Sequence, residues 1–177
     1  SDFVRVQANG KIAMKLDRGD RLIGVTTCDE GDDVLLATTG AKCIRFRLTD
    51  VRVFQGRNST GVRGIRLPKS AEVISMSVLH HTEYSTAQRS AYLKRSRFER
   101  ADSTIGEVET DNDELESEYL ENSKENTFTL SDELYAHMAR EEQFVLTVTA
   151  KGFGKRSSAY EYRVAGRGGQ GIANIDI

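Results

Sequence analysis

The chain carries nearly the same message twice, 110 residues apart, and no other property constrains its fold as much. Residues 34–67, VLLATTGAKCIRFRLTDVRVFQGRNSTGVRGIRL, and residues 144–177, FVLTVTAKGFGKRSSAYEYRVAGRGGQGIANIDI, share one order of parts: an apolar strand, a glycine turn, a basic strand and a glycine-punctuated basic segment. Gly56, Arg57 and Gly61 recur as Gly166, Arg167 and Gly171. Arg45 recurs as Arg156, one residue out of step, as a β-bulge would produce. A partial third copy, FVRVQANGKIAMKL from Phe3 to Leu16, matches a glycine segment and the last strand, so the chain is expected to open inside a repeat. Repeated units of this size bury their apolar faces against one another, which points to a solenoid or a propeller.

Period-two alternation places successive side chains on opposite faces of a strand. In Lys42–Arg47, Ile44 and Phe46 share one face and Arg45 and Arg47 the other, so one face is expected to pack and the other to be basic. Thr39-Gly40-Ala41 and Lys151-Gly152 supply turns, glycine being free to take positive φ. Further strands are expected over residues 21–26, 34–38, 62–67, 73–79, 144–150 and 171–177. Tyr160 and Tyr162 read as strand residues. Pro68, the only proline, follows a strand, where its missing N–H costs little.

The formal net charge of −2 averages two segments of opposite character. Residues 80–143 hold 16 carboxylates and 7 cations, which leaves the repeat-bearing remainder at +7. The repeats therefore read as an anion-binding surface. The acidic stretch reads as an insertion between two strands of one blade, and removing it shortens the period to about 46 residues, within the range of propeller blades. Within it, Ser85–Arg100 and Ser131–Gln143 have helical composition, with Ser131 placed to cap the second helix ahead of Asp132 and Glu133. Asp102–Glu125 is acidic and poor in large apolar residues, so it is expected to stay mobile. Two readings of this arm stand: it competes with the anionic ligand of the basic surface as a mimic of phosphate, or it is a tolerated surface insertion.

No apolar run approaches the roughly 18 residues of a membrane span, and nothing resembles a signal peptide. A soluble protein of a reducing cytoplasm is expected. Cys28 and Cys43 are too few for a disulfide framework, and Cys43 reads as a small packed strand residue. His80, His81 and His137 lack the companions of a metal site, and the adjacent pair reads as a solvated strand end. No nucleophile motif, Walker A loop or acid-rich metal motif stands in the repeats, so no catalytic or metal residue is assigned.

Read as DDVLLATTGAKCIRF, NSTGVRGIRL and GFGKRSS, the repeats resemble the C-terminal domain of the DNA gyrase A protein over residues 1–79 and 142–177. The family's QRRGGKG box is met only in part by Ala165–Gly171, which has the character of a later-blade copy. The resemblance implies a mainly β fold: partial β-propeller or β-pinwheel blades of antiparallel strands, with a partly helical acidic insertion. Residues 1–79 would hold the end of one blade and most of the next, 80–143 the insertion, and 144–177 the remainder of the last blade. It also implies a non-catalytic module that wraps double-stranded DNA and contributes to ATP-dependent negative supercoiling. Its partners would be the rest of gyrase A together with gyrase B, with ATP and Mg²⁺ used elsewhere in the holoenzyme and no cofactor held by this chain. Lys42, Arg45, Arg47, Arg57, Arg63, Lys151, Lys155, Arg156, Arg163 and Arg167 are the candidate phosphate contacts. Two alternatives stay open: the related C-terminal domain of the topoisomerase IV counterpart of gyrase A, which bends DNA without driving supercoiling, and a protein-binding propeller.

Overall fold

Alternation along DDVLLAT and KCIRFR produces the first hairpin, in which β1 (Asp32–Thr38) and β2 (Lys42–Arg47) pair antiparallel with Val34 opposite Phe46 and Leu36 opposite Ile44. The computed structural model describes residues 5, 8–56, 58–103 and 129–175, the side chains of 101–103 excepted. β3 (Val73–His80) pairs antiparallel with the other edge of β1. β1 begins two residues earlier than predicted, and β3 ends one residue later. Val34, Ile44 and Phe46 bury one face of this sheet together with Ile65, and Leu36, Leu48, Val51, Val73 and Met76 pack around them. Each such side chain contributes about 1.5–3 kcal/mol on leaving water. The turn between β1 and β2 departs from expectation: the positive φ belongs to Ala41, at 53°, and not to Gly40. Thr38 holds this turn, its Oγ1 donating to the Lys42 carbonyl and accepting from the Lys42 N–H.

The chain forms two compact units, one of residues 1–81, 146–155 and 162–177, the other of residues 82–145 and 156–161. The second unit is built on α1 (Thr86–Ser103) and α2 (Asp132–Glu141). A reciprocal capping box opens α1, with Gln88 N–H donating to Ser85 Oγ and Ser85 N–H to Gln88 Oε1, and it satisfies two donors that helix geometry orphans. Ser131 caps α2 as predicted, accepting from Leu134 N at 3.2 Å. Tyr92, Met138 and Tyr160 form the core of this unit, with the Tyr92 and Tyr160 rings edge-on at 5.2 Å. Their buried hydroxyls are satisfied, Tyr92 donating to Glu142 and Tyr160 to the Met138 carbonyl. Burial pushes both phenols above their ordinary range, and burial with the Glu141 carboxylate beside it pushes Tyr84 up to about 12. Tyr160 is thus a helix-packing residue in a 3-10 turn (Ala159–Glu161) and Tyr162 follows that turn, so neither is a strand residue. The expected mobile arm lies outside the described residues, apart from its first two positions, which continue α1.

β4 (Phe144–Val148) and β5 (Gly154–Ser158) form the second hairpin, closed by Gly152 at φ 86°. Each hairpin is followed at once by a 3-10 turn, Leu48–Asp50 after β2 and Ala159–Glu161 after β5, so the repeat seen in sequence is also a repeat of structure. β6 (Ile172–Ala173) then pairs antiparallel with β2 of the first copy, giving a four-stranded sheet in the order β3-β1-β2-β6. The glycine segment of one repeat therefore closes the sheet of the other, a strand exchange. Two predicted strands do not form. Residues 62–67 bond singly to a glycine turn, Gly168 N–H to the Gly64 carbonyl and Arg66 N–H to the Gly169 carbonyl, while Ile65 plugs the core. Residues 21–26 have no ladder partner among the described residues, and the expected strand at 171–177 shrinks to two residues.

Candidate nucleic-acid interface

The pleat of β2 does not give the expected exposed basic face. Its central residues from Cys43 to Phe46 are all buried, and the Arg45 side chain is only 3% exposed. Arg45 Nε donates to Asp33 Oδ2 at 2.8 Å, Nη2 to the His80 carbonyl at 3.2 Å and Nη1 to the Tyr162 carbonyl at 3.5 Å. His81 Nδ1 lies 2.9 Å from Asp33 Oδ1 and donates to it, since an ionised carboxylate only accepts. Hence the His80–His81 pair is not uniformly a solvated strand end: His80 is exposed beside Asp32, whereas His81 turns inward. The backbone N–H of Asp29, donating at 2.8 Å, holds the Asp32 carboxyl below the usual range. Cys43 is fully buried, and burial pushes its thiol up to about 11.

Six of the ten candidates, Lys42, Arg47, Arg63, Lys151, Lys155 and Arg163, present exposed side chains in the first unit. Arg167 is half-buried and anchored, its Nη1 donating to the Arg63 carbonyl at 2.6 Å and its Nε to the Asp50 carbonyl at 3.1 Å. This brings Arg63 and Arg167 together and makes the glycine segment a structural latch as well as a basic one. Arg57 lies outside the described residues. Arg156 belongs to the second unit, where its guanidinium stacks on the Phe144 ring at 3.5 Å, and Arg100 approaches the same ring at 5.4 Å.

Sequence reasoning passed over the cations of α1, because counting charge across the whole insertion hid them. Residues 86–103 hold five cations and two carboxylates, against nine carboxylates and one lysine in residues 104–128. A window the length of one helix would have separated the two. Arg95 is taken up by Glu99 and Asp132, and Arg100 by Glu142, while Lys94 and Arg97 stand exposed. No group of three metal-ligating side chains occurs among the described residues, and none of the described helices is long and apolar enough to cross a membrane.

The family model of the DNA gyrase C-terminal domain, a β-propeller, matches residues 1–29, 32–80 and 143–177. The chain belongs to this family. A DNA gyrase A protein of Granulibacter bethesdensis is 52% identical across all of the chain, and one of Rickettsia bellii is 46% identical across 99% of it. The chain spans about a fifth of the length of these relatives, 19% and 18%. The gyrase A protein of Escherichia coli matches at 40% identity over 54% of the chain. In this gyrase-family chain the insertion lies outside the matched family model, yet the alignments with the Granulibacter and Rickettsia proteins run through it. Among solved structures, the C-terminal domain of DNA topoisomerase IV superposes with a TM-score of 0.52 at 16% identity, covering 91% of this chain and 31% of that one. At that identity the likeness speaks for the propeller fold alone.

Proposed function

We propose that this chain is a non-catalytic, DNA-wrapping part of a gyrase A protein, and that it holds duplex DNA through the sugar–phosphate backbone. The observation that carries the reading is the sorting of its cations. Arg45 is consumed inside the fold and Arg167 is partly so, whereas Lys42, Arg47, Arg63, Lys151, Lys155 and Arg163 keep their side chains at the surface of a unit rich in positive charge. Duplex DNA carries a charge about every 1.7 Å of axis, and neutralising phosphates releases counterions, so binding is sequence-independent and salt-sensitive. Wrapping opposes DNA stiffness with backbone contacts spread along the path. In the holoenzyme, with ATP and Mg²⁺ used by other parts and gyrase B as partner, a wrap of fixed hand biases strand passage toward negative supercoiling. Identity to gyrase A proteins across the whole chain favours this over the topoisomerase IV reading.

The test is binding of a labelled duplex across a salt series. A steep fall of log affinity with log salt supports the reading, and absent or salt-insensitive binding moves the protein-binding propeller ahead. Supercoiling by a holoenzyme carrying Lys42→Gln, Arg47→Gln and Arg63→Gln should fall while relaxation persists.

A further inference from the structure

Within the second unit, Lys94, Arg97 and Arg100 follow one another at intervals of three along α1, which places them as neighbours on the helix surface. Arg100 and Arg156 converge on one aromatic ring, that of Phe144, at 5.4 and 3.5 Å from its centre. A continuous basic ridge therefore runs from α1 to β5. Its two ends differ in how they are held. Glu142, whose side chain is only 5% exposed, anchors Arg100 at 3.0 Å, and the Phe144 face fixes Arg156. Lys94 and Arg97 are exposed and have no partner among the described residues. The other cation of this stretch that faces α2, Arg95, is neutralised by Glu99 and Asp132. Charge has thus been cancelled where the helices meet and left standing on the outside.

We infer that Lys94, Arg97 and Arg156, bridged by the Glu142-anchored Arg100, form a second phosphate-contacting surface for duplex DNA, carried by the inserted unit. The inference rests on the wrapping reading. From Lys94 to Arg97 the helix advances about 4.5 Å, a length over which a duplex presents roughly two to three phosphate charges, so the density of phosphates matches that of the two cations. The insertion then brings phosphate contacts of its own, although its total charge is acidic.

The experiment uses the full chain and a labelled duplex of mixed sequence, titrated between about 50 and 200 mM salt. Lys94→Gln/Arg97→Gln should lower the slope of log affinity against log salt by about two, with thermal unfolding unchanged, and Arg156→Gln should lower it by about one. A wild-type slope retained in both variants overturns the ridge and leaves the wrapping reading standing. Tighter binding by the double variant also overturns it. Salt-independent or absent binding by the unaltered chain overturns both readings together.

Discussion

At the scale of single residues, Arg45 shows how a repeated cation can change its role. Its carboxylate partner Asp33 is fully buried, so removing the guanidinium would strand a charge away from water. Arg45→Met should destabilise by about 3–5 kcal/mol in urea unfolding. Adding Asp33→Leu should recover only part of the loss, because it removes the stranded carboxylate but leaves His81 Nδ1 and the His80 and Tyr162 carbonyls without their partners. Lys42→Gln, one strand position from the core, should leave stability within about 0.5 kcal/mol and weaken DNA binding instead. Cys43 gives a second residue-scale test. Its folded pKa of about 11 lies above the unfolded value, so the fold favours the thiol, and that contribution is complete below about pH 8.5 and lost as pH rises toward 11. At about pH 8, below that window, a thiol reagent should label exposed Cys28 and reach Cys43 only after denaturation. That Arg45 would be buried was not legible in the sequence. Alternation assigns a side to each residue, but it cannot say that both sides of β2 are covered.

At the scale of elements, the glycines of the repeat separate by what approaches them. Gly61 and Gly171 occupy equivalent positions and share positive φ, 81° and 75°. A Cβ at Gly171 would lie 2.6 Å from the Cys43 carbonyl oxygen, whereas at Gly61 nothing stands within 4 Å. Gly61→Ala should therefore cost about 1 kcal/mol of left-handed strain. Gly171→Ala should cost clearly more, because it also pushes β6 off β2, and equilibrium unfolding of the pair measures the difference. The hairpins, both helices and the Ser131 cap were legible, since each is fixed by local pattern and turn chemistry. The strand expected at residues 62–67 was not, because its pattern reports burial of Ile65 and says nothing of whether a ladder partner exists. The partner there is a glycine turn that offers isolated bonds.

At the scale of the whole molecule, charge is distributed by segment. Replacing residues 104–128 with a short Gly/Ser linker removes nine carboxylates and one lysine and moves the formal net charge from −2 to +6. Association with duplex DNA should then accelerate at low salt. The gain should vanish near 1 M, where screening shortens to about 3 Å, and stopped-flow measurement at the two salt concentrations separates these outcomes. An equal rate for both chains at low salt would mean that the acidic residues do not reach the DNA path.

The sequence alone determined that the chain is built of repeats, that each repeat contains a hairpin and a glycine segment, and that a charged insertion with helical flanks separates two strands. These follow from periodicities of two and of 3.6, and from residues with few allowed turns. Tertiary structure decided which repeat the glycine segment pairs with, which arginines are spent inside the fold, and which cations of α1 remain at the surface. Those outcomes depend on contacts between residues tens of positions apart, such as Arg95 with Asp132 and Arg100 with Glu142, or more than a hundred apart, such as Arg45 with Tyr162 and Arg167 with Arg63, and local pattern carries no information about partners so distant.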